Sequence, residues 1–146
     1  APLGPMSRYA ASTAVPVERS RSEIERVLER YGCSRFGIMN EAGGSALLYF
    51  EHAERSFQLA VRVPPQAKFQ SEAKWQQERR RRWRVMVLTL KASLEAVASG
   101  LATFEEVFLA HVVIPGTAKT LGQALIPKLD ALYAGKPLPA LLAENP

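Results

Sequence analysis

The chain has one cysteine and two histidines among its 146 residues, and that scarcity removes whole classes of chemistry. A lone Cys33 can form neither an internal disulfide nor a multi-cysteine zinc site, and it suits a reducing compartment. His52 and His111 fall in separate segments without carboxylates at ligand spacing, so no metal or other cofactor is expected. Cys33 has no histidine near it in sequence and no carboxylate pair stands out, so an enzyme is not the expectation. No apolar run reaches the length of a membrane span and no leader pattern opens the chain, which gives the expectation of a soluble, cytoplasmic protein with no membrane partner. The glycine-rich stretch Asn40-Glu41-Ala42-Gly43-Gly44-Ser45 precedes a strand pattern and not a helix. It therefore reads as a hairpin turn and not as a phosphate loop. No repeats or low-complexity tracts appear.

What is present is ordinary for a folded domain: 47% apolar and 23% charged residues, enough chain for one hydrophobic core. The formal net charge of +5 and a pI near 9.7 favour acidic partners. Residues 1–18 read as a protease-site scar (Ala1 to Pro5, before Met6) followed by a polar, extended or flexible arm. Residues 19–142 read as a single domain and 143–146 as a tail.

Periodicity gives the layout. Ser20 and Ser22, each followed three residues later by glutamate, suggest a helix start. Ile24, Val27, Leu28 and Tyr31 then mark an amphipathic helix stopped by Gly32. Three strand patterns follow over 35–40, 46–52 and 56–63, the last with Phe57, Leu59, Val61 and Val63 alternating against Gln58 and Arg62. Short connections imply an antiparallel meander, ended by Pro64-Pro65. A long helix is expected over Glu72 to Ser99, with Trp83, Val87, Leu90, Leu94, Val97 and Leu101 as its apolar stripe and Gly100 as its cap. Thr103 and Glu106 form a second capping box, opening a helix toward Val113. A last helical segment, Leu121 to Ala134, carries Leu125, Leu129, Leu132 and Tyr133 on one face and a kink at Pro127. The tail beyond Lys136 is expected to dock loosely through Leu138, Leu141 and Leu142. The fold class is therefore α+β: a three-stranded antiparallel meander with an N-terminal helix, and a long helix plus two shorter helices packed on one face.

One feature carries the functional reading. Arg79, Arg80, Arg81, Arg82 and Arg84 occupy five of six consecutive positions between Trp75 and Trp83. Arginine suits phosphate because its planar fork gives paired, charge-assisted hydrogen bonds and also stacks on rings. On a helix, Arg80, Arg84 and Lys91 fall within about 40° of one another beside the apolar stripe. Cations in a first turn oppose the helix dipole, so a binding role is favoured unless the helix starts well upstream. The competing reading is a solvated face paired with Glu78 and with Glu23, Glu25 and Glu29. Trp83 belongs to the core stripe; Trp75 and Phe69, near the Pro64–Lys74 linker, are the candidates for stacking on bases. The candidate nucleic-acid-binding set is Lys74, Arg79, Arg80, Arg81, Arg82, Arg84 and Lys91, with Trp75 and Phe69.

The blocks Ser20-Arg21-Ser22-Glu23-Ile24-Glu25, Arg30-Tyr31-Gly32, Arg79 to Trp83, Leu94-Glu95-Ala96-Val97, Thr103-Phe104-Glu105-Glu106 and Phe108-Leu109-Ala110-His111 resemble a family of small, uncharacterised phage and prophage proteins. The resemblance covers most of Ser7 to Leu142, and the chain departs from it at a shorter Pro64–Ser71 linker. It implies action in a bacterial cytoplasm on nucleic acid or on a host protein. At fold level alone, a βββα core with a basic helix is analogous to phage single-strand annealing proteins. Two functions follow as expectations. The first is a nucleic-acid-binding accessory protein for replication or recombination, acting on single-stranded DNA through the arginine-rich helix. The alternative is an interaction protein that inhibits or redirects a host complex, for example in anti-defence, by meeting an acidic protein surface. Apolar stripes on three helices exceed what one small sheet can cover, which points to homo-oligomers.

Overall fold

Alternation decides the sheet. The computed structural model describes residues 9–137, and strands β1 (Arg35–Asn40), β2 (Ala46–His52) and β3 (Arg55–Val61) form an antiparallel meander in that order. Ile38 pairs with Leu48, and Leu48 with Leu59, so Ala46, Leu48, Phe50, Phe57, Leu59 and Val61 point together into the core. The intervening residues of β2 and β3, such as Tyr49 and Gln58, occupy the other face.

The β1–β2 turn closes with the Glu41 N–H donating to the Ser45 carbonyl at 2.9 Å, and Gly43 and Gly44 take positive φ there. The β2–β3 turn is tighter. Ala53 (φ 49°) and Glu54 (φ 65°) both lie in the left-handed region, as a two-residue primed turn requires, although neither is glycine or asparagine.

Two helices cover the core face. Helix α1 (Val17–Arg30) begins earlier than the Ser20/Ser22 pattern suggests: Pro16 precedes its first turn, and Ser20 lies fully buried inside the helix. The apolar Val17 extends the buried stripe and so draws the helix back by a turn. Helix α2 (Glu72–Ala98) runs as its spacing predicts, with the Ser71 hydroxyl accepting the Lys74 N–H at 3.2 Å. Trp83, Val87, Leu90 and Leu94 are buried along it. Leu101 is not part of that stripe: the chain leaves the helix at Gly100 (φ 77°), and Leu101 is 83% exposed.

Helix α3 (Phe104–Phe108) starts at the Thr103–Glu106 capping box and gives way to a 3-10 turn over Leu109–His111, short of the expected end. Phe50, Phe57, Phe104 and Phe108 form an aromatic cluster, with His52 stacked on Phe104 at 4.0 Å. Beyond it, Val113 donates to the Ser56 carbonyl at 2.8 Å and so covers the outer edge of β3. The last segment divides at Pro127 into α4 (Leu121–Leu125), a 3-10 turn and α5 (Leu129–Tyr133). Its expected apolar face is not a core face: Leu129, Leu132 and Tyr133 are exposed. The expected docking leucines at 138, 141 and 142 lie outside the described residues.

Candidate nucleic-acid interface

Helix α2 begins at Glu72, so Arg79 lies about two turns inside it. At that depth the dipole penalty on first-turn cations no longer applies. A helix that carries consecutive arginines must send them to different sides, and the partners differ by side.

Arg81 and Arg82 turn toward β3. Arg81 grips Glu78 with two bonds, Nε to Oε2 at 3.0 Å and Nη2 to Oε1 at 2.7 Å. Arg82 Nε donates to the same carboxylate at 2.8 Å, and its Nη1 donates to the Arg62 carbonyl at 2.8 Å. The Arg81 and then the Arg82 hydrogen bonds hold the Glu78 carboxyl below its ordinary range. In this half of the run both arginines share one carboxylate and brace α2 against the sheet.

Arg80, Arg84 and Lys91 turn toward α1. Arg84 and Lys91 converge on Glu23, with Lys91 Nζ 2.6 Å from Oε1. Arg84 first, then Lys91, hold the Glu23 carboxyl down at about 2. Arg19 and Arg26 join Glu23 and Arg84 around a small cleft of about 220 Å³ between the helices. Neither of these two side chains has an ion-pair partner among the described residues. Among the described residues Arg80 bonds only the neutral Gln77 Oε1, and Gln77 in turn donates to the Ala11 and Thr13 carbonyls at 2.9 Å each. The arm over residues 9–16, expected to be extended or flexible, is thereby pinned across α2. Arg79, Arg80, Glu18 and the arm line a further cleft of about 590 Å³.

Arg79 is held by packing and not by an ion pair among the described residues. Its guanidinium lies over the Trp75 ring at 6.0 Å, and its Nε is enclosed without a hydrogen-bond partner. Gly44 closes over both: a Cβ there would sit 3.1 Å from Trp75 Cζ2 and 3.3 Å from Arg79 Nε. Trp75 is half-buried, and its indole N–H donates to the Pro64 carbonyl at 2.9 Å. Trp83 is fully buried, with the Arg21 guanidinium 5.3 Å from its ring. Lys74 bonds Gln70 in the first turn of α2, and half-buried Phe69 follows the 3-10 turn Gln66–Lys68.

The geometry thus sorts the sequence candidates into two sets. Arg80, Arg84 and Lys91 meet α1 along a seam where Arg19 and Arg26 add charge, while Arg81 and Arg82 do not reach it. Arg19, Glu23 and Arg26 recur at i, i+4 and i+7 on α1, a helical spacing that could have placed them there from sequence. Burial pushes the Cys33 thiol up to about 11, burial lowers the His111 imidazole, and no metal-binding group of His, Cys, Asp and Glu forms among the described residues. No helix among them is long and apolar enough to cross a membrane. No protein-family model, curated protein or solved structure matches the chain.

Proposed function

We propose that the α1–α2 seam binds the phosphate backbone of nucleic acid, single-stranded DNA above all, and that the chain is a binding accessory protein and not an enzyme. One observation carries this reading: Arg19, Arg26, Arg84 and Lys91 gather around a single carboxylate, Glu23, and Arg80 lines the adjoining cleft with Glu18. Five cations against these two carboxylates leave a local excess of positive charge on rigid helices. Such a surface attracts a polyanion without reading sequence. The weight falls on phosphate contact more than on base stacking, because Trp83 is buried and Trp75 already holds Arg79 and the Pro64 carbonyl. Resemblance to phage and prophage proteins supports a setting in replication or recombination in a bacterial cytoplasm.

Fluorescence anisotropy with single- and double-stranded oligonucleotides at two salt concentrations tests the proposal. Replacing Arg19, Arg26 and Arg80 together by glutamine should weaken binding and flatten the salt dependence. Replacing Arg81 and Arg82 should leave binding nearly unchanged. Equal losses from the two sets would overturn the assignment to the seam. Failure of the wild-type chain to bind any oligonucleotide, with capture of an acidic protein from nuclease-treated lysate, would favour the host-protein reading instead.

A further inference from the structure

Strand β1 is the open edge of the sheet. The opposite edge, on β3, is bridged by Val112 and Val113, whereas among the described residues β1 has β2 on one side and no strand on the other. The ladder pattern shows which of its groups are free. Glu41 and Ser45 are a hydrogen-bonded pair, so by antiparallel alternation Met39, Gly37 and Arg35 also face β2. Phe36, Ile38 and Asn40 therefore direct their N–H and C=O groups outward. Among the described residues none of these backbone groups has a hydrogen bond outside the strand ladder. Edge strands are commonly blunted by proline, a bulge or inward-pointing charge. Here the strand is Arg-Phe-Gly-Ile-Met-Asn, regular across its register with β2, with Met39 65% exposed beside the edge.

We propose that this edge pairs with the same edge of a second copy, antiparallel about a two-fold axis at Ile38, to give a continuous six-stranded sheet. The strand's own sequence selects the register. Outward-facing residues must meet outward-facing residues, and only with Ile38 opposite Ile38 do Phe36 and Asn40 meet each other at both ends. Every free backbone group of the strand is then satisfied. The same register sets Arg35 of each copy directly opposite Glu41 of the other, an oppositely charged cross-strand pair repeated by the symmetry. It also sets Gly37 opposite Met39, giving the exposed methionine room. Both charged residues are available: the Arg35 side chain is 79% exposed, its contact to Glu51 is a loose 3.5 Å, and Glu41 is exposed. A segment that complements itself in backbone, charge and size is best fitted by a second copy of this chain.

Sedimentation equilibrium on the full chain, from micromolar to near-millimolar concentration, provides the test. The expected mass rises with concentration from 16.1 kDa toward twice that value. Arg35→Glu or Glu41→Arg alone turns both cross-strand pairs repulsive and should raise the dimer Kd roughly tenfold or more. The double exchange should restore it. Within one chain these residues lie at opposite ends of β1, about 20 Å apart at 3.3 Å per residue, so rescue can arise only between copies. Both sites are on the surface, which keeps the variants folded. A monomer at every concentration would overturn the proposal. So would a dimer indifferent to both single changes, or a double variant no better than either single.

Discussion

Glu23→Gln should destabilise the protein while tightening its hold on nucleic acid, a pairing that ordinary core damage does not produce. Glu23 receives Arg84 and Lys91 from α2, and its carboxyl is held at about 2 against an ordinary 4.5. Taken at face value, that lowering corresponds to about 3 kcal/mol of stability at neutral pH, at 1.36 kcal/mol per pKa unit. The side chain is 25% exposed and solvent screens both partners, so roughly 1–2 kcal/mol is the expected loss in Glu23→Gln. For a domain of this size that is a fall in Tm of about 3–8 °C. The sign with pH follows from the direction of the shift. A depressed carboxylate stabilises fully above the unfolded value of 4.5 and loses that contribution as pH falls toward 2. At pH 3 the linkage relation leaves less than half of it. Urea unfolding followed by tryptophan fluorescence should therefore show the wild type ahead of Glu23→Gln at pH 7, with the gap at least halved at pH 3. Anisotropy at pH 7 should show the variant binding oligonucleotide more tightly, because two seam cations lose their counterion. A stability gap that does not change between pH 7 and pH 3 would refute the ion-pair account. Weaker oligonucleotide binding by a folded variant would refute the account of the seam.

Further expectations concern single positions. Gly44→Ala places a Cβ 3.1 Å from Trp75 Cζ2 at φ +90°, so it should cost about 1–3 kcal/mol in chemical denaturation. The Ala53-Glu54 turn holds two side-chain-bearing residues at positive φ, and exchanging it for Asn-Gly should raise stability by roughly 1 kcal/mol, read as a higher Tm. Cys33 is buried with its thiol pushed up to about 11, so native protein at pH 8 should resist a thiol reagent that labels it within minutes in denaturant.

The sheet and α2 were legible because their signals are redundant. Period-two alternation over Phe57, Leu59 and Val61 agrees with the pairing it produces, and the stripe from Trp83 to Leu94 agrees with burial along α2. Boundaries followed weaker signals. Ser20 resembles an N-cap in sequence, but Val17 gains more by entering the core, and the buried serine hydroxyl is left without a partner. Leu101 continues the stripe by count and misses it in space, because Gly100 turns the chain first. The arginine run was visible as charge, and the competing reading named Glu78 and Glu23 among its partners, but not which cation meets which. Which arginine meets Glu78 follows from local i, i+3 and i, i+4 geometry and could be read. That Glu23 gathers Arg84 and Lys91 depends on how α1 lies along α2, and no local pattern encodes that crossing.

The two proposals meet in one measurement. Helix α1 packs beside β1, and α2 packs along α1 and toward β3. A dimer joined through β1 would place two α1 helices side by side at its centre, each with its seam on the outer flank. At a helix spacing of 8–10 Å the two seams are then roughly 20 Å apart. A short single strand can span that distance and touch both. Among the described residues Arg19, Arg26 and Arg80 are the seam cations without a carboxylate partner, so one copy should neutralise about three phosphates, giving a log–log salt slope near −2 at about −0.7 per contact. Two copies on one strand should give about −4. Arg35→Glu leaves the seam intact and separates the copies, so it should return the slope from the steeper value to the shallower one. Identical slopes for wild type and Arg35→Glu, at concentrations where their masses differ, would mean that the dimer does not present its two seams to one strand.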